Sequence, residues 1–541
     1  MRSFTWIAAA FFCLSVNFSY AQKVTLEDVT TRSFAGVQSI NGQFYYTFYF
    51  GEKSETKGMA NFVLAIYDKD LNPVATKNIE VSKNSELAAS AFSGKYFLFI
   101  FADVNRKTMT KIILDQNGNT VKQTVDEDVR RSLLVAESFP DIQVVNEDEF
   151  LVIRPEKEKK MGYEIQRLDK DLTAKWTKSF FPEKGIWTII DSRLGNGSLY
   201  LLRKEKPNAL WGDKFVYAAQ RINIETGDAA YTTELKDADD GGFPSFISVS
   251  ADGRLATGGM YFRDGKYDDK NSDGFFFASI AADGTMSKWD KHTWKSVKDD
   301  IKGDWFTEFM AGKTKVLMED IIRKKDGTYV LVGETFRKSS VDNTGDVAKR
   351  SMMGFGGSSS SSSSYSGDQT GFTVLDFVFI NFDANGNFLG IDKVSKSSRE
   401  AIVRGAMSKE NALELAQWMA AKKRFFTYRY VIDHNDKQYI VFKNDDGFKT
   451  KAYFLPVGES STKGEIDMDK WVGEGMNKIS KLAKFTGNNN NKKVFESTVE
   501  FGQPESYEIY KNIIPAKPGY MLLYDFSNSK LNIWLDPVPV N

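Results

Sequence analysis

The chain has 541 residues, of which 41% are hydrophobic, 14% are aromatic and 27% are charged. Its 72 basic and 72 acidic side chains cancel, and without a strongly basic block the chain lacks the electrostatic footprint of a nucleic-acid-binding protein. One cysteine, Cys13, and two histidines, His292 and His434, exclude an intrachain disulfide, a thiolate metal cluster and a zinc site made of three imidazoles.

The N-terminal segment 1–21 has the pattern of a secretory signal peptide. Arg2 gives a positive start, Ile7–Val16 is an apolar run, and the small residues before Gln22 suit cleavage after Ala21. The apolar run is shorter than the roughly 20 residues that a bilayer span requires. The sequence therefore predicts export to the periplasm, the outer surface or the extracellular space, with no transmembrane segment.

A tight turn followed by a short apolar run recurs along the chain. Each run is rich in β-branched and aromatic residues and too short for a helix, so it predicts a buried strand entered from a hairpin. The first five copies are about fifty residues apart, a spacing typical of a propeller or a solenoid. The turns are Asn41-Gly42, Ser93-Gly94, Asn146-Glu147, Asn196-Gly197, Asp252-Gly253, Asp326-Gly327, Asn435-Asp436 and Lys517-Pro518-Gly519.

Each unit contains three further strands. In the first unit one strand precedes the turn at Phe34–Ile40, an apolar strand follows at Phe62–Asp68, and a more polar strand follows at Val74–Val81. Four strands make one propeller blade. We therefore predict an all-β protein, a β-propeller of seven or eight four-stranded blades with small helical insertions, which forms a single domain over residues 22–541.

The last unit lacks a full set of strands. The chain ends at Asn541 shortly after the strand Leu531–Leu535, and an open sheet edge invites pairing with other chains. The strand-like segment Val24–Thr30 becomes the mature N-terminus once the signal peptide is removed. We predict that it closes the ring beside Asn532 and Trp534.

Insertions interrupt the repeat at about 339–370, 397–424 and 460–491. The first contains a run of serines and predicts a flexible loop. Helices are predicted at Lys409–Lys423, with Ser408 as the cap, and at Met468–Phe485. The apolar stripe of each helix predicts packing on the propeller, and partner recognition is the alternative.

Asp269, Asn271 and Asp273 form the best candidate metal site. Their oxygen ligands alternate as in the first half of an EF-hand loop, and they resemble the calcium hairpins of some extracellular propellers. Phe277 and Ile280 occupy the later ligand positions, so the carboxylates that complete such a loop are missing. The sequence favours a plain hairpin loop over calcium binding, because acidic residues and Asn also suit turns. No other cofactor is predicted.

Other residues give weaker signals for chemistry, and neither HExxH nor G-x-S-x-G occurs. Asp237, Asp239 and Asp240 suit either a solvated loop or a pair of glycosidase carboxylates. His292 is expected to pack and His434 to lie in a turn, with a catalytic base as the alternative for each. Blade packing or stacking on sugar rings is expected for Trp187, Trp211, Trp289, Trp294 and Trp305.

Two phrases, 252–259 and 326–335, resemble the strand-turn repeats of secreted bacterial β-propellers, in which an Asp-Gly turn leads a run ending in glycine. The Ala-Gln at the end of the signal peptide is similar to that of Bacteroidota envelope proteins. The resemblance implies a secreted propeller of an uncharacterised family, and no functional residues carry over from it.

The sequence favours a non-catalytic binding or scaffold module over an enzyme. No acid-base or nucleophile constellation is visible, so we expect an exported propeller that binds a protein or glycan partner on one face. The alternative is a glycan-active hydrolase whose carboxylates converge from several blades at the central channel. A close cluster of acidic side chains at the channel would favour that alternative.

Overall fold

The fold is built from antiparallel sheets, as seen in a computed structural model of the chain. The structure describes residues 23–26, 34–40, 42–103, 105–127, 129, 141–157, 160–206, 215–237, 240–263, 272–298, 305–310, 314–340, 369–396, 399–404, 411–421, 427–446, 449–459, 461–468, 496–499, 511–527 and 530–540. These residues form eight four-stranded blades.

The first strand, β1 (Lys23–Leu26), belongs to the last blade. Blade 1 consists of β2 (Phe34–Ile40), β3 (Phe44–Lys53), β4 (Met59–Asp68) and β5 (Pro73–Ser82). Blade 2 consists of β6 (Ser85–Phe92), β7 (Tyr96–Asp103), β8 (Thr108–Asp115) and β9 (Thr120–Asp126). Blade 3 consists of β10 (Asp141–Asn146), β11 (Glu149–Lys157), β12 (Met161–Asp169) and β13 (Ala174–Phe180). Blade 4 consists of β14 (Ile186–Gly195), β15 (Ser198–Lys206), β16 (Val216–Asn223) and β17 (Ala229–Glu234).

The second half of the chain repeats this plan with additions. A short strand β18 (Lys236–Asp237) leads into blade 5, which consists of β19 (Asp240–Val249), β20 (Leu255–Phe262), β21 (Gly274–Ile280) and β22 (Met286–Thr293). After helix α1 (Trp305–Met310), blade 6 consists of β23 (Lys315–Arg323), β24 (Tyr329–Ser340), β25 (Gln369–Phe382) and β26 (Phe388–Val394). Next come β27 (Arg399–Arg404), helix α2 (Ala412–Ala421) and blade 7, which consists of β28 (Tyr428–His434), β29 (Lys437–Asp446), β30 (Lys449–Pro456) and β31 (Gly464–Asp467). Strand β32 (Glu496–Val499) precedes blade 8, which consists of β33 (Lys511–Pro515), β34 (Tyr520–Ser527), β35 (Lys530–Pro537) and β1.

Strand β1 closes the ring. It pairs antiparallel with β35, so that Lys23 lies opposite Trp534 and Leu26 lies opposite Leu531. The predicted closure between the termini is confirmed for these residues. The remainder of the predicted segment, 27–30, lies outside the described residues.

A hydrophobic core lies between each pair of neighbouring blades, including blades 8 and 1. At that last interface Tyr45 and Tyr67 pack with Leu522 and Ile533. The second strand of a blade is apolar because both of its faces are covered, as in Phe97–Phe101 of blade 2, where every residue is fully buried. The outermost strand β9 is mostly exposed. The predicted gradient from apolar inner to polar outer strands is confirmed.

The predicted opening turns join the first and second strands of the blades. Gly42 has a φ of 66°, and a Cβ there would lie 2.6 Å from Ala516 O of blade 8. Both the left-handed backbone and the close approach therefore require glycine. The turn of blade 7 uses Asn435 and Asp436 with φ of 47° and 61°, the conformation of a two-residue hairpin.

In blades 1, 2 and 6 the turn between the third and fourth strands has an Asp with an Asn four residues later. In blade 6 Asp383 Oδ1 accepts hydrogen bonds from the amides of Asn385 and Asn387, both at 2.8 Å. Asn387 also donates to Asp383 Oδ2 at 2.7 Å. Hydrogen bonds from Asn387 hold the pKa of Asp383 below its ordinary value. Asp68 and Asp115 make the same contacts in blades 1 and 2.

The strand order gives the ring two different faces. The tight turns after first and third strands lie on one face, which we call the turn face. The opposite face, which we call the loop face, carries the links between second and third strands and between blades. The long connections begin and end on the loop face: 127–140, 294–314, 341–368, 395–427 and 468–510.

Blade 6 is extended on the loop face. Strands β24 and β25 continue past the blade as a hairpin, β27 pairs with β25, and β32 pairs parallel to β27. Helix α2 buries Leu413, Ala416 and Met419 in the core of blades 4 to 6, which confirms the predicted packing stripe. Asn411 caps this helix by accepting from the amide of Glu414 at 2.9 Å. The predicted cap Ser408 lies outside the described residues, as does nearly all of the predicted second helix.

Candidate functional site

The first strands of neighbouring blades approach one another around the centre of the ring, and most share one irregularity. In blades 1, 2, 4, 5, 6 and 7 the pairing skips one residue four or five pairs from the turn. The skipped residue is Glu319 in blade 6 and Arg429 in blade 7. A bulge of this kind breaks the regular alternation and re-aims side chains. The bulges thus place an acidic and a basic residue in adjacent blades.

Glu334 of β24 holds both ends of the described connection between blades 6 and 7. Its Oε1 accepts from the backbone amides of Thr427 and Tyr428, both at 2.8 Å, and its Oε2 accepts from the Thr427 hydroxyl at 3.0 Å. Lys396 Nζ lies 2.9 Å from Oε2, outside aligned hydrogen-bond geometry but close enough for an ion pair. Glu334 and the Lys396 side chain are 0% and 1% exposed, so each charge depends on the other.

Glu319 lies near Glu334 on the neighbouring strand of blade 6, where Glu334 pairs with Leu317 and the bulge follows at Glu319. It is only 5% exposed, and burial raises its pKa well above its ordinary value. The negative charge of Glu334 and a hydrogen bond between the two carboxyl groups raise it further, against the weaker opposing charges of Lys396 and Arg429. Two carboxyl groups in contact in a low dielectric do not both ionise. Glu319 is therefore the protonated member, and its Oε1 has no hydrogen-bond partner among the described residues.

Two further acidic residues, Asp320 of blade 6 and Asp191 of blade 4, extend the cluster toward blades 4 and 5. The Tyr428 hydroxyl donates to Asp320 Oδ2, and burial, reinforced by the Asp320 charge, raises the pKa of Tyr428. Asp191 Oδ2 accepts from the amide of Ile247 at 3.0 Å and lies 3.4 Å from Arg193 Nη2. Burial raises the pKa of Asp191 to about 6, although Arg193 opposes the rise. Acidic groups of blades 4 and 6 therefore meet near the centre of the ring.

This cluster connects blades through buried contacts. Glu334 is saturated by donors from the following connection and from blade 7, and Asp191 is bonded to blade 5. Among the described residues, no group of three or more His, Cys, Asp or Glu is placed to hold a metal ion. Chemically, the arrangement keeps Glu319 protonated and joins blades through hydrogen bonds from backbone amides of one blade to a carboxylate of another.

The predicted calcium ligands are only partly described. Asp269 and Asn271 lie outside the described residues. Asp273 precedes β21, and its Oδ2 accepts from the amide of Arg263 at 2.7 Å, across the base of the hairpin. The plain hairpin loop stays the favoured interpretation of this segment, with calcium binding as the alternative.

Both histidines lie away from the carboxyl cluster. The His292 ring stacks on Phe275 with centroids 5.4 Å apart, and its Nε2 lies 3.2 Å from Asp290 Oδ2. His434 ends β28 beside a turn, and its Nε2 lies 3.1 Å from the carbonyl oxygen of Val540. Their interpretation as packing and turn residues is confirmed.

The acidic run before blade 5 lies in a tight hairpin. Asp237 of β18 pairs with Asp240 of β19, and Asp239 between them lies outside the described residues. The backbone pairing is that of a turn at the entry to the blade. Its use as a glycosidase pair stays untested.

Three of the candidate tryptophans pack within the blades. Arg203 lies over the Trp187 ring at 3.7 Å, and Trp289 stacks with centroids 4.6 Å from Phe276. Trp294 is almost fully buried and donates to Ser272 Oγ at 2.9 Å. These contacts favour the packing reading for all three. The remaining candidates, Trp211 and the side chain of Trp305, are outside the description.

Sequence reasoning missed the whole carboxyl cluster. A signal was available, because Glu319, next to Asp320, and Glu334 lie within mainly apolar stretches, Val316–Ile322 and Tyr329–Phe336. Charged residues are rarely buried unless they are paired, so a lone acid inside a buried strand predicts a partner. The identity of that partner is set by contacts between blades, which no local pattern shows.

The closed ring of blades defines the protein as an eight-bladed β-propeller. Within this class, the chain belongs to the family of unknown function DUF6770, whose model matches residues 1–454. This agrees with the expectation of an uncharacterised family. No curated protein matches the sequence.

Solved structures similar to this chain include other propellers. The Dos1 propeller is 8% identical, with 94% of each chain covered and a TM-score of 0.42. A prolyl endopeptidase is 9% identical, with 80% of this chain and 49% of that chain covered and a TM-score of 0.39. An acylaminoacyl peptidase from Pyrococcus horikoshii is 8% identical, with 77% and 58% covered and a TM-score of 0.30. At these values the similarities do not bear on function. In the part of the chain that the structure describes, no helix is long and apolar enough to cross a membrane.

Proposed function

We propose that the protein is an exported, non-catalytic β-propeller whose loop face binds a protein or glycan partner in the periplasm, at the outer surface or outside the cell. One observation carries this proposal: the long connections all begin and end on the loop face, while the turn face carries tight hairpins. Binding residues are commonly found on loops that a rigid scaffold positions. The closed ring supplies such a scaffold.

The N-terminal pattern supports export. Strand β1 starts at Lys23, directly after the proposed cleavage site between Ala21 and Gln22, and it enters the ring from the turn face. The mature N-terminus therefore emerges opposite the proposed binding face.

The use of the buried carboxyl groups supports a binding role over catalysis. Glu334 directs both of its oxygens to donors of the chain, at 2.8 to 3.0 Å, and is fully buried. A general acid or base must reach the proton it transfers on the substrate. Glu334 is instead committed to holding blade 7.

A glycan-active hydrolase is the second candidate, and a specific observation favours it. Glu319 has a raised pKa, and the pKa of Asp191 is raised to about 6, the tuning expected of general acids near neutral pH. These groups come from blades 6 and 4 and lie near the centre of the ring. Glycoside hydrolysis uses such a pair of carboxyl groups.

Site-specific photo-crosslinking tests the proposed binding face. A photoreactive amino acid is placed at Lys107 on the loop face or, as the matched control, at Asp436 on the turn face, since both side chains are exposed. Crosslinking in the exporting cell is expected to trap a discrete adduct from Lys107 and none from Asp436. Adducts from Asp436 alone would contradict the assignment of the face.

A glycan panel separates binding from hydrolysis. The mature protein from Gln22 is assayed for glycan binding and, in the same samples, for released reducing ends. The proposal expects no release from any glycan, whether or not one is bound. Release that disappears in Glu319→Gln would favour the hydrolase instead.

A further inference from the structure

The connection from blade 6 to blade 7 is held at both ends by one carboxylate. We call its described parts the strap: residues 395–396, strand β27, helix α2 and Thr427. At its start Lys396 forms an ion pair with Glu334, and at its end Thr427 donates both its amide and its hydroxyl to Glu334. Glu334 is therefore a contact shared by both ends, beside the Lys443 amide, which donates to the Thr427 carbonyl at 3.0 Å.

The rest of the strap is bound mainly through side-chain packing and a short ladder. Strand β27 pairs with the extended end of β25 from Gln369 to Val374, and α2 places Leu415 and Ala416 in the core. Lys396 also donates its backbone amide to Asp376 Oδ1 at 3.2 Å. These contacts hold the described parts of the strap against blade 6 on the loop face, where β32 also pairs with β27.

Several charged groups surround Glu319, which lies near Glu334, the residue that anchors the strap. Glu334 of β24, Lys396 of the strap and Arg429 of β28 act directly on the Glu319 carboxyl group. Asp320, its neighbour on β23, accepts a hydrogen bond from Tyr428 of blade 7.

On the blade 4 side the charged groups are Asp191 and Arg193, which form a pair at 3.4 Å. The charge of Asp320 acts on Asp191, and that of Arg193 acts on Tyr428. Within this cluster, Glu319 Oε1 is a buried oxygen without a hydrogen-bond partner among the described residues.

We propose that the strap is a proton-controlled latch, closed while Glu319 shares its proton with Glu334 and released when that proton is lost. The closed state buries two carboxyl groups in contact, and such a pair retains one proton. In an open state water would solvate both groups, and Glu319 would give up its proton above the ordinary pKa of a glutamic acid. By linkage, a rise in pH therefore favours opening.

The latch rests on the proposed function in one respect, because the strap lies on the proposed binding face. A release at higher pH would change the surface that the loop face offers to its partner. The latch itself is a property of the chain alone. It can be tested without a partner, so its failure and the failure of the binding proposal are distinguishable.

Hydrogen exchange at several pH values measures the opening of the strap. Peptides covering β27 and α2 are followed from pH 5 to pH 8, with rates corrected for the intrinsic pH dependence of amide exchange, and β7 of blade 2 serves as the internal reference. The opening constant of the strap is expected to rise by up to about tenfold per pH unit below the raised pKa of Glu319. The reference strand should show no such rise.

Two variants assign that rise to Glu319. In Glu319→Gln, which keeps a hydrogen-bond donor toward Glu334 without a titratable proton, the opening constant should be independent of pH. In Glu414→Gln, the same change on an acid of α2, the rise should persist. An opening constant that does not change with pH in the unmodified protein, or a rise that persists in Glu319→Gln, would overturn the latch.

A third variant keeps the test decisive if Glu319→Gln does not fold. Thr427→Val removes the hydroxyl that donates to Glu334 and leaves Glu319 in place. The opening constant should rise about fivefold at every pH, as expected for one lost hydrogen bond, with the pH dependence unchanged. Loss of the pH dependence in this variant would contradict the proposal.

Discussion

Blades 2 and 6 have the same four-strand plan but differ at two equivalent positions. Relative to the bulge in the first strand, blade 2 has Ala88 and Ala102 where blade 6 has Glu319 and Glu334. In blade 6 the residue Glu334 holds the strap that precedes blade 7. The comparison teaches that apolar side chains suffice at these two positions in blade 2, and that the extended blade has buried carboxyl groups there, one of which holds an added segment.

The largest expected effect follows from giving blade 6 the residue of blade 2. Glu334→Ala would leave Lys396 as an unpaired buried charge and two amides of blade 7 without an acceptor. We expect a loss of about 3–5 kcal/mol in the free energy of unfolding, measured by urea titration. Adding Lys396→Met should recover part of the loss, because it removes the unpaired charge. A Glu334→Ala protein as stable as the unmodified one would contradict the claim that blade 6 needs a buried charge where blade 2 has an alanine.

The next effect is the pH dependence that blade 4 contributes. Asp191 has a folded-state pKa of about 6 against an ordinary value of 3.8, so the folded state retains a proton that the unfolded state loses. Stability is therefore present at low pH, is lost as pH rises from about 4 to about 6, and changes no further above that, by about 3 kcal/mol in total. Asp191→Asn should abolish this loss, as recorded by thermal melts across that range.

The matched control for that substitution is Asp252→Asn in a turn of blade 5. Hydrogen bonds from Ser250 and Arg254 hold the pKa of Asp252 at about 2, so this group does not titrate in the folded protein between pH 4 and pH 6. The melts of Asp252→Asn should keep the decline seen in the unmodified protein. If both variants lose it equally, the buried acid of blade 4 is not its cause.

A smaller effect is expected at the end of the strap. Thr427→Val should lower the free energy of unfolding by about 1 kcal/mol, because one hydrogen bond to Glu334 is lost while the backbone amide bond remains. The comparison change is Thr120→Val on β9 of blade 2, an exposed outer-strand residue. That change should be nearly neutral in the same urea titration.

The smallest effect is expected from the serine-rich insertion of blade 6. Replacing 341–368 with a short Gly-Ser linker should change the free energy of unfolding by less than about 0.5 kcal/mol, because polyserine buries no apolar area. A thermal melt with an unchanged cooperative transition would agree. Loss of that transition would show that the segment is part of the fold.

Much of the fold could be predicted because its turns and strands are determined by short stretches of sequence. A turn such as Asn435-Asp436 or Asp326-Gly327 fixes the hairpin, and the change from the apolar β7 to the polar β9 fixes the order of strands within a blade. Closure by β1 followed from counting the strands of the last unit. These features depend on residues that are neighbours in sequence.

The carboxyl cluster could not be predicted for the opposite reason. The contact of Glu334 with Thr427 spans 93 positions in sequence, across the strap. The bulge at Glu319 cannot be recognised from a residue type that repeats from blade to blade, because the equivalent bulge residue of blade 2 is Ala88. The predicted calcium ligands are the reverse case. Their spacing is a pattern of neighbouring residues, but contacts with distant parts of the chain cannot be inferred from it.

The central claim is that Glu319 keeps its proton in the folded protein at neutral pH. Infrared difference spectroscopy between the unmodified protein and Glu319→Gln at pH 7 measures this directly, since a protonated carboxylic acid has a C=O stretching band that a carboxylate lacks. The account predicts that band in the unmodified protein, its loss in Glu319→Gln and its persistence in Asp252→Asn. An unmodified protein without the band at pH 7 would show that both carboxyl groups are ionised and would contradict the account.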